Sequence, residues 1–304
     1  MKIAAPVKYF IAAIALGWLF FTGNISLERV AAVRLNSPFS CLIAVLFSCL
    51  ACQAARWWCL LRFHGISIAI AKTFKFFWIG SFFYVVLPGA VGGELARTYY
   101  LVRNDPSSRF RGILSVITDR LMGIYVFFLL AALASLFLPP EANSNAFLRY
   151  HCLFATTIVF GLPLLLSLSF SKRLRSFVGS KLPGMKPGST NDLLLIYKRH
   201  IGWLPIAFCL SIAVSFLFVA GFWCAGLCIG FPVDFRIALL DVPLIVVANS
   251  LPISPGGIGV GESAAFVIFK QSGYLAGAEL MILVRAVITF LRLPGIVFFL
   301  RHKQ

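Results

Sequence analysis

Leu251-Pro252-Ile253-Ser254-Pro255-Gly256-Gly257-Ile258-Gly259-Val260-Gly261-Glu262 follows the apolar run 237–251 with no polar loop between them. Two prolines and four glycines within these twelve residues end a helix. Proline removes a backbone donor and clashes with the preceding turn, and glycine leaves the backbone too much freedom. A helix-like piece, 262–271, resumes beyond. Broken backbone at membrane depth is tolerated only where protein buries it or where it lines a wet cavity. An earlier stretch has the same order: the apolar run 74–87 enters Pro88-Gly89-Ala90-Val91-Gly92-Gly93, and 94–102 resumes from Glu94. Pro88, Gly92, Gly93, Pro252, Pro255 and Gly256 thus mark the breaks of two re-entrant helical hairpins, 74–102 and 237–271.

The surrounding chain is apolar enough to make membrane depth the right setting. Of 304 residues, 60% are hydrophobic and only 12% are charged; mean hydropathy is +0.94. Soluble domains are about 45–50% apolar and about 25% charged, which excludes a soluble enzyme and a disordered chain. A spanning helix needs about 20 apolar residues, and 7–22, 39–61, 113–138, 152–170, 202–229 and 275–300 qualify. The first run lacks a small-x-small cleavage site after it, so it reads as an uncleaved helix rather than a signal peptide. The expected fold is an all-α integral membrane protein, one domain over 1–304. It has about six transmembrane helices plus two broken hairpins in an inverted repeat. Interrupted segments at matching places in two halves point to a binding site between them. Pro-kinked helices packed for shape alone would read similarly, but the shared order Leu-Pro, Gly-Gly, Glu favours the repeat.

The chain carries 27 Lys and Arg against 10 Asp and Glu, a formal charge of +17. Segments 1–8, 56–75, 97–112, 171–200 and 301–304 hold nineteen of the 27; segments 23–38, 139–150, 230–236 and 272–279 hold four. The positive-inside rule places both termini in the cytoplasm of a protein of the cytoplasmic (inner) membrane. That holds only if each hairpin enters and leaves on one side. The basic loop 171–200 lies along anionic headgroups or is simply solvated. Nucleic acid is not the expected partner. The eight cysteines fall in apolar runs; Cys49-x-x-Cys52 and Cys224-x-x-x-Cys228 match one helix face as well as a ligand pair. Neither a disulfide framework nor a metal site nor a cofactor is expected.

Ionisable groups inside spans are costly and mark function by default. Here they are Glu94, Asp119, Asp241 and Glu262 with Arg97, Arg120, Arg285 and Arg292; for each the alternative is an ion pair that fixes packing. Glu94 and Arg97 share a helix face, so Arg97 either pairs with Glu94 or grips a phosphate. Asp119 and Arg120 point about 100° apart and look to different neighbours. Gly257 and Gly259 belong to a glycine-rich stretch that resembles a phosphate cradle without the nucleotide form; close approach to a headgroup or to the other hairpin is the alternative. Arg285 and Arg292 lie on nearly one face, where unpaired arginines suit an anionic ligand; snorkelling fits Arg292 better than Arg285. The four histidines fall in expected loops or at ends. No nucleophile–base set emerges, so an enzyme is not expected.

Leu87-Pro-Gly-Ala-Val-Gly-Gly-Glu94-Leu-Ala-Arg97, Asp119-Arg120-Leu-Met-Gly123 and Leu251-Pro-Ile-Ser-Pro-Gly-Gly-Ile-Gly-Val-Gly-Glu262 occur in that order. Together they resemble the flippase-like membrane region of bacterial lysylphosphatidylglycerol synthases and its stand-alone relatives. The resemblance implies inverted repeats, two re-entrant hairpins and movement of lipid between leaflets. It also implies that Glu94, Arg97, Arg120, Glu262 and Arg285 line the headgroup path. The synthase part is expected to be absent, so lysylphosphatidylglycerol itself is not implied. The second motif often carries Glu where this chain has Asp119, one methylene shorter. The expected partners are membrane lipids, phospholipid or polyprenyl-phosphate-linked, moved across the bilayer. The alternative is a lipid-binding partner that moves nothing and serves a separate lipid-modifying or glycosyltransferase enzyme, docked through 171–200. A homo-oligomer is compatible with either.

Overall fold

A computed structural model describes residues 37–86, 92–137, 146–169, 196–251, 254 and 257–301. The run 7–22, Pro88, Pro252, Pro255, Gly256 and the loop 171–195 lie outside them. The helices are α1 (Ser37–Phe63), α2 (Ile70–Val86), α3 (Gly92–Asn104), α4 (Arg109–Ser135), α5 (Ala146–Ser169), α6 (Trp203–Cys228), α7 (Phe235–Ser250), α8 (Val260–Gln271), α9 (Gly277–Arg292) and α10 (Gly295–Leu300). No strand occurs among the described residues. Four helical stretches are long and apolar enough to cross a bilayer: Ser37–Phe63, Pro106–Ser135, Trp203–Cys228 and Gly277–Leu300. The protein is an all-α membrane protein.

α1 and α6 pack most extensively. The Cys41 and Cys224 sulfurs lie 3.7 Å apart, Leu46 fits against Gly221, and Arg56 reaches Ser211. Positions rising along α1 meet positions falling along α6, so the two helices run antiparallel. A Cβ on Gly221 would come within 2.6 Å of Leu46 Cδ2, so glycine is what admits the leucine.

α2 and α3 form one broken hairpin. Phe76 stacks on Tyr100 at 5.9 Å, and Gly80 meets Gly93 so closely that a Cβ on Gly93 would lie 2.5 Å from the Gly80 carbonyl oxygen. α7 and α8 form the other, with Asn249 against Gly257 and Gly261. Gly257 and Gly259 have φ of +74° and +81°, which glycine alone adopts at little cost. Each half therefore reads long helix, broken hairpin, long helix: α1, α2–α3, α4, then α6, α7–α8, α9–α10. Because α1 opposes α6, the second half is inverted relative to the first. α5 stands outside this order.

Three details differ from the sequence expectation. The last span breaks at Leu293-Pro294 into α9 and α10, because proline cannot continue the helical ladder; α10 then packs on α2, Gly295 against the Trp78 carbonyl. His151 lies inside α5 and is buried, not in a loop. Arg56 and Arg97, counted with the cytoplasmic charges on sequence, are buried.

His64, in the turn after α1, ties α4 to the segment 196–200. Its Nδ1 lies 3.2 Å from the Tyr197 hydroxyl and its Nε2 3.2 Å from Thr118 Oγ1. Burial, helped by Arg111, pushes its pKa down from 6.5 to about 4. The unfolded imidazole accepts a proton first, so this site costs nothing above pH 6.5 and destabilises the fold as pH falls from 6.5 towards 4. The loss is up to about 3 kcal/mol. Thermal unfolding of purified protein across that window should fall more steeply in wild type than in His64→Gln; parallel curves would refute the assignment.

Candidate functional site

The two hairpins, with α1, α4, α6 and α9, enclose two adjoining cavities of about 240 and 190 Å³. Gln53, Arg56, Tyr84, Gly123, Phe127 and Arg292 belong to both walls. The larger extends to Asn249, Met281 and Arg285. The smaller extends to Glu94, Arg97, Asp119 and Arg120.

Asp119 of α4 anchors the first hairpin. Arg56 Nε of α1 donates to Oδ1 at 2.8 Å, and Arg97 Nη2 of α3 donates to Oδ2 at 3.0 Å. All three side chains are less than a tenth exposed. Arg97 also lies over the ring of Trp57, with Cζ 5.0 Å from its centroid. Two guanidiniums share one carboxylate, so the cluster keeps one positive charge beside the cavity. Charges this dry hold together only because each is paired and hydrogen bonded.

Glu94 does not pair with Arg97. It meets Arg120 Nε at 2.8 Å, a more exposed contact than the Asp119 cluster. Asp119 and Arg120 therefore serve different partners. Glu94 is the third residue of α3, where a carboxylate also suits the helix dipole.

Glu262 is the third residue of α8, and its Oε2 accepts the Gly259 N–H at 2.7 Å. Arg285 Nε of α9 donates to Glu262 Oε1. Arg285 Nη2 donates to Asn249 Oδ1 at 2.9 Å and to the Gly257 carbonyl at 3.1 Å. The Gly257 N–H goes to the Ser254 carbonyl at 3.3 Å. The Gly257 and Gly259 donors are thus already used within the second hairpin. Gly257 and Gly261 make room for Asn249, and a Cβ on Gly261 would also meet Arg285 Nη2 at 2.6 Å. In each half, then, the third residue of the return helix is a glutamate bonded to an arginine of the helix that follows.

Arg292 ends α9 differently. Its Cζ lies 4.5 Å from the Tyr84 ring centroid, and its buried Nε makes no hydrogen bond. Among the described residues, no carboxylate lies within ion-pair distance of it. Five arginines (56, 97, 120, 285, 292) face three carboxylates (94, 119, 262) around the cavities, so the site is net cationic. Arg285, the stronger ligand candidate on sequence, is committed to Glu262, and Arg292 occupies the shared wall. Arg56, Gln53, Tyr84 and Asn249 were not singled out from the sequence. The available signal for Arg56 was a charge inside the run 39–61. Among the described residues, no three His, Cys, Asp or Glu come together as a metal would need.

A family model described as the lysylphosphatidylglycerol synthase TM region matches residues 7–295. No curated protein matches the chain, and no solved structure does.

Proposed function

Since the chain belongs to the family of lysylphosphatidylglycerol synthase transmembrane regions, we propose that it moves a lipid with an anionic headgroup between the leaflets of the cytoplasmic membrane. The observation that carries this is Arg292, an arginine that pairs with no described carboxylate, on the wall shared by two cavities between inverted broken hairpins. A phosphate is the ligand such a group fits, by charge and by its forked donors. The headgroup phosphate enters between the hairpins and meets Arg292; the residual positive charge of Arg56 and Arg97 on Asp119 draws it inward. Gln53, Asn249 and Ser250 offer neutral hydrogen-bonding groups along the same walls. The acyl chains stay in lipid while the two halves rock about the α1–α6 pair. Apart from the buried Arg56 and Arg97, seventeen basic residues in the segments counted as cytoplasmic set the orientation, both termini inside.

The test is a vesicle assay. The purified chain is reconstituted with a fluorescent anionic phospholipid, and a membrane-impermeant quencher reports the label in the outer leaflet. Transbilayer movement faster than in protein-free vesicles is expected; an equal rate would sink the proposal. Lipid bound through purification but never moved would instead favour a lipid-presenting partner of another enzyme.

A further inference from the structure

A second set of buried ionisable groups lies outside the arginine-lined cavities. His151 Nδ1 of α5 lies 3.6 Å from Asp241 Oδ1 of α7, with side chains 1% and 0% exposed. The His151 ring and the Ser272 hydroxyl are the polar groups beside the Asp241 carboxylate, each just outside hydrogen-bond geometry. The surroundings are apolar: Phe128 and Ala131 of α4, Leu148 and Ala155 of α5, and Leu240 of α7 form one core cluster. α6 packs on α7, where Phe216 and Trp223 meet Phe235. His151 is the ionisable group that acts on Asp241, and the Cys152 thiol is the other titratable neighbour.

An isolated buried carboxylate at membrane depth is strongly disfavoured, and such groups mark proton or ion pathways. A carboxyl–imidazole pair is neutral when it holds one dissociable proton, on either partner. Releasing that proton leaves a net charge of −1 in a dry core, which only a change of packing or access to water can accommodate. Asp241 sits roughly 10 Å along α7 from its Phe235 end. Near that end Arg236 bonds the Phe137 carbonyl at 3.1 Å. Two turns further along α7, Val246, Asn249 and Ser250 line the larger cavity. One helix, with Pro243 between the two, thus carries both the Asp241 carboxylate and a wall of the anionic-ligand site.

We propose that Asp241 and His151 form a proton-binding site that couples proton movement to lipid movement through α7. The coupling rests on the transport reading above; the proton site itself does not. One proton enters the pair from the water-accessible face near Arg236 and is released to the other side when α7 shifts with the second half. No bond other than O–H or N–H forms or breaks.

Two measurements test it on the full purified chain. Infrared difference spectroscopy across a pH titration should show a protonated carboxyl signal that is absent in Asp241→Asn, retained but shifted in Asp241→Glu, and displaced in His151→Gln. Thermal unfolding confirms that each variant is folded, and Asp241→Glu keeps the test valid if one is not. No spectral difference between wild type and Asp241→Asn overturns the site. In vesicles, a gradient of one pH unit should speed lipid movement up to about tenfold, the limit for one proton per cycle. Asp241→Asn should lose that response and keep the gradient-free rate. Movement that ignores the pH gradient, or follows a sodium gradient instead, overturns the coupling. If wild type moves no lipid under any condition, the transport reading fails, and the infrared titration alone decides the proton site.

Discussion

Asp119→Ala is expected to destabilise the protein by about 3–5 kcal/mol, the range for removing one partner of a buried ion pair. The reason is local. Asp119 is the carboxylate for both Arg56 and Arg97, and all three side chains are nearly dry. Its loss leaves two guanidiniums facing each other across α1, α3 and α4. Arg97→Met should cost less, because Asp119 keeps Arg56 and the methionine can still pack on Trp57. Combining Asp119→Ala with Arg97→Met should recover part of the lost stability, since it removes one of the uncompensated charges. Thermal unfolding in detergent measures all three. Asp119→Ala within experimental error of wild type would refute the description of this cluster as the first hairpin's anchor.

Arg292→Ala is expected to slow lipid movement by about 10- to 100-fold, the effect of losing a charged hydrogen bond of roughly 1.5–3 kcal/mol. Its stability should change little, because among the described residues Arg292 gives up a ring contact with Tyr84 and no ion pair. Arg292→Lys should recover part of the rate, keeping the charge and losing the planar fork. Glu262→Gln should behave in the opposite way. It weakens the contacts that hold Arg285 and the Gly259 N–H, so stability falls first and transport follows. The two classes separate in one experiment that reads unfolding temperature and transbilayer rate on the same samples. An Arg292→Ala rate equal to wild type would remove this residue from the lipid path.

The breaks in the chain were legible because proline and glycine act locally: twelve residues from Leu251 to Glu262 suffice to end one helix and begin another. The opposed headings of Asp119 and Arg120 follow likewise from helix geometry. What the sequence did not reveal depends on contacts between distant segments. Arg56 lies 63 residues from Asp119 and close to a helix end, where a basic residue ordinarily counts towards topology. Arg285 and Arg292 lie two turns apart on one face, and nothing local decides which of them Glu262 will meet. Periodicity likewise cannot show that Glu262 turns back onto the Gly259 N–H that a phosphate cradle would offer. His151 falls just outside the expected span 152–170 because the polar residues before it hide the start of α5.

The inverted order of the two halves has a consequence for direction. A palindromic machine reads alike from either leaflet: each half offers a glutamate–arginine clasp, a broken hairpin and a long helix, pointing opposite ways. Such a device alone carries its cargo down whatever gradient exists and has no preferred sense. Rectification requires a part present on one side only. Among the described residues one such part is the contact of His151 on α5 with Asp241 on α7, since α2, the matching helix of the first hairpin, carries no carboxylate. A one-way bias would be built at that carboxyl–imidazole contact, which the first hairpin does not repeat among the described residues.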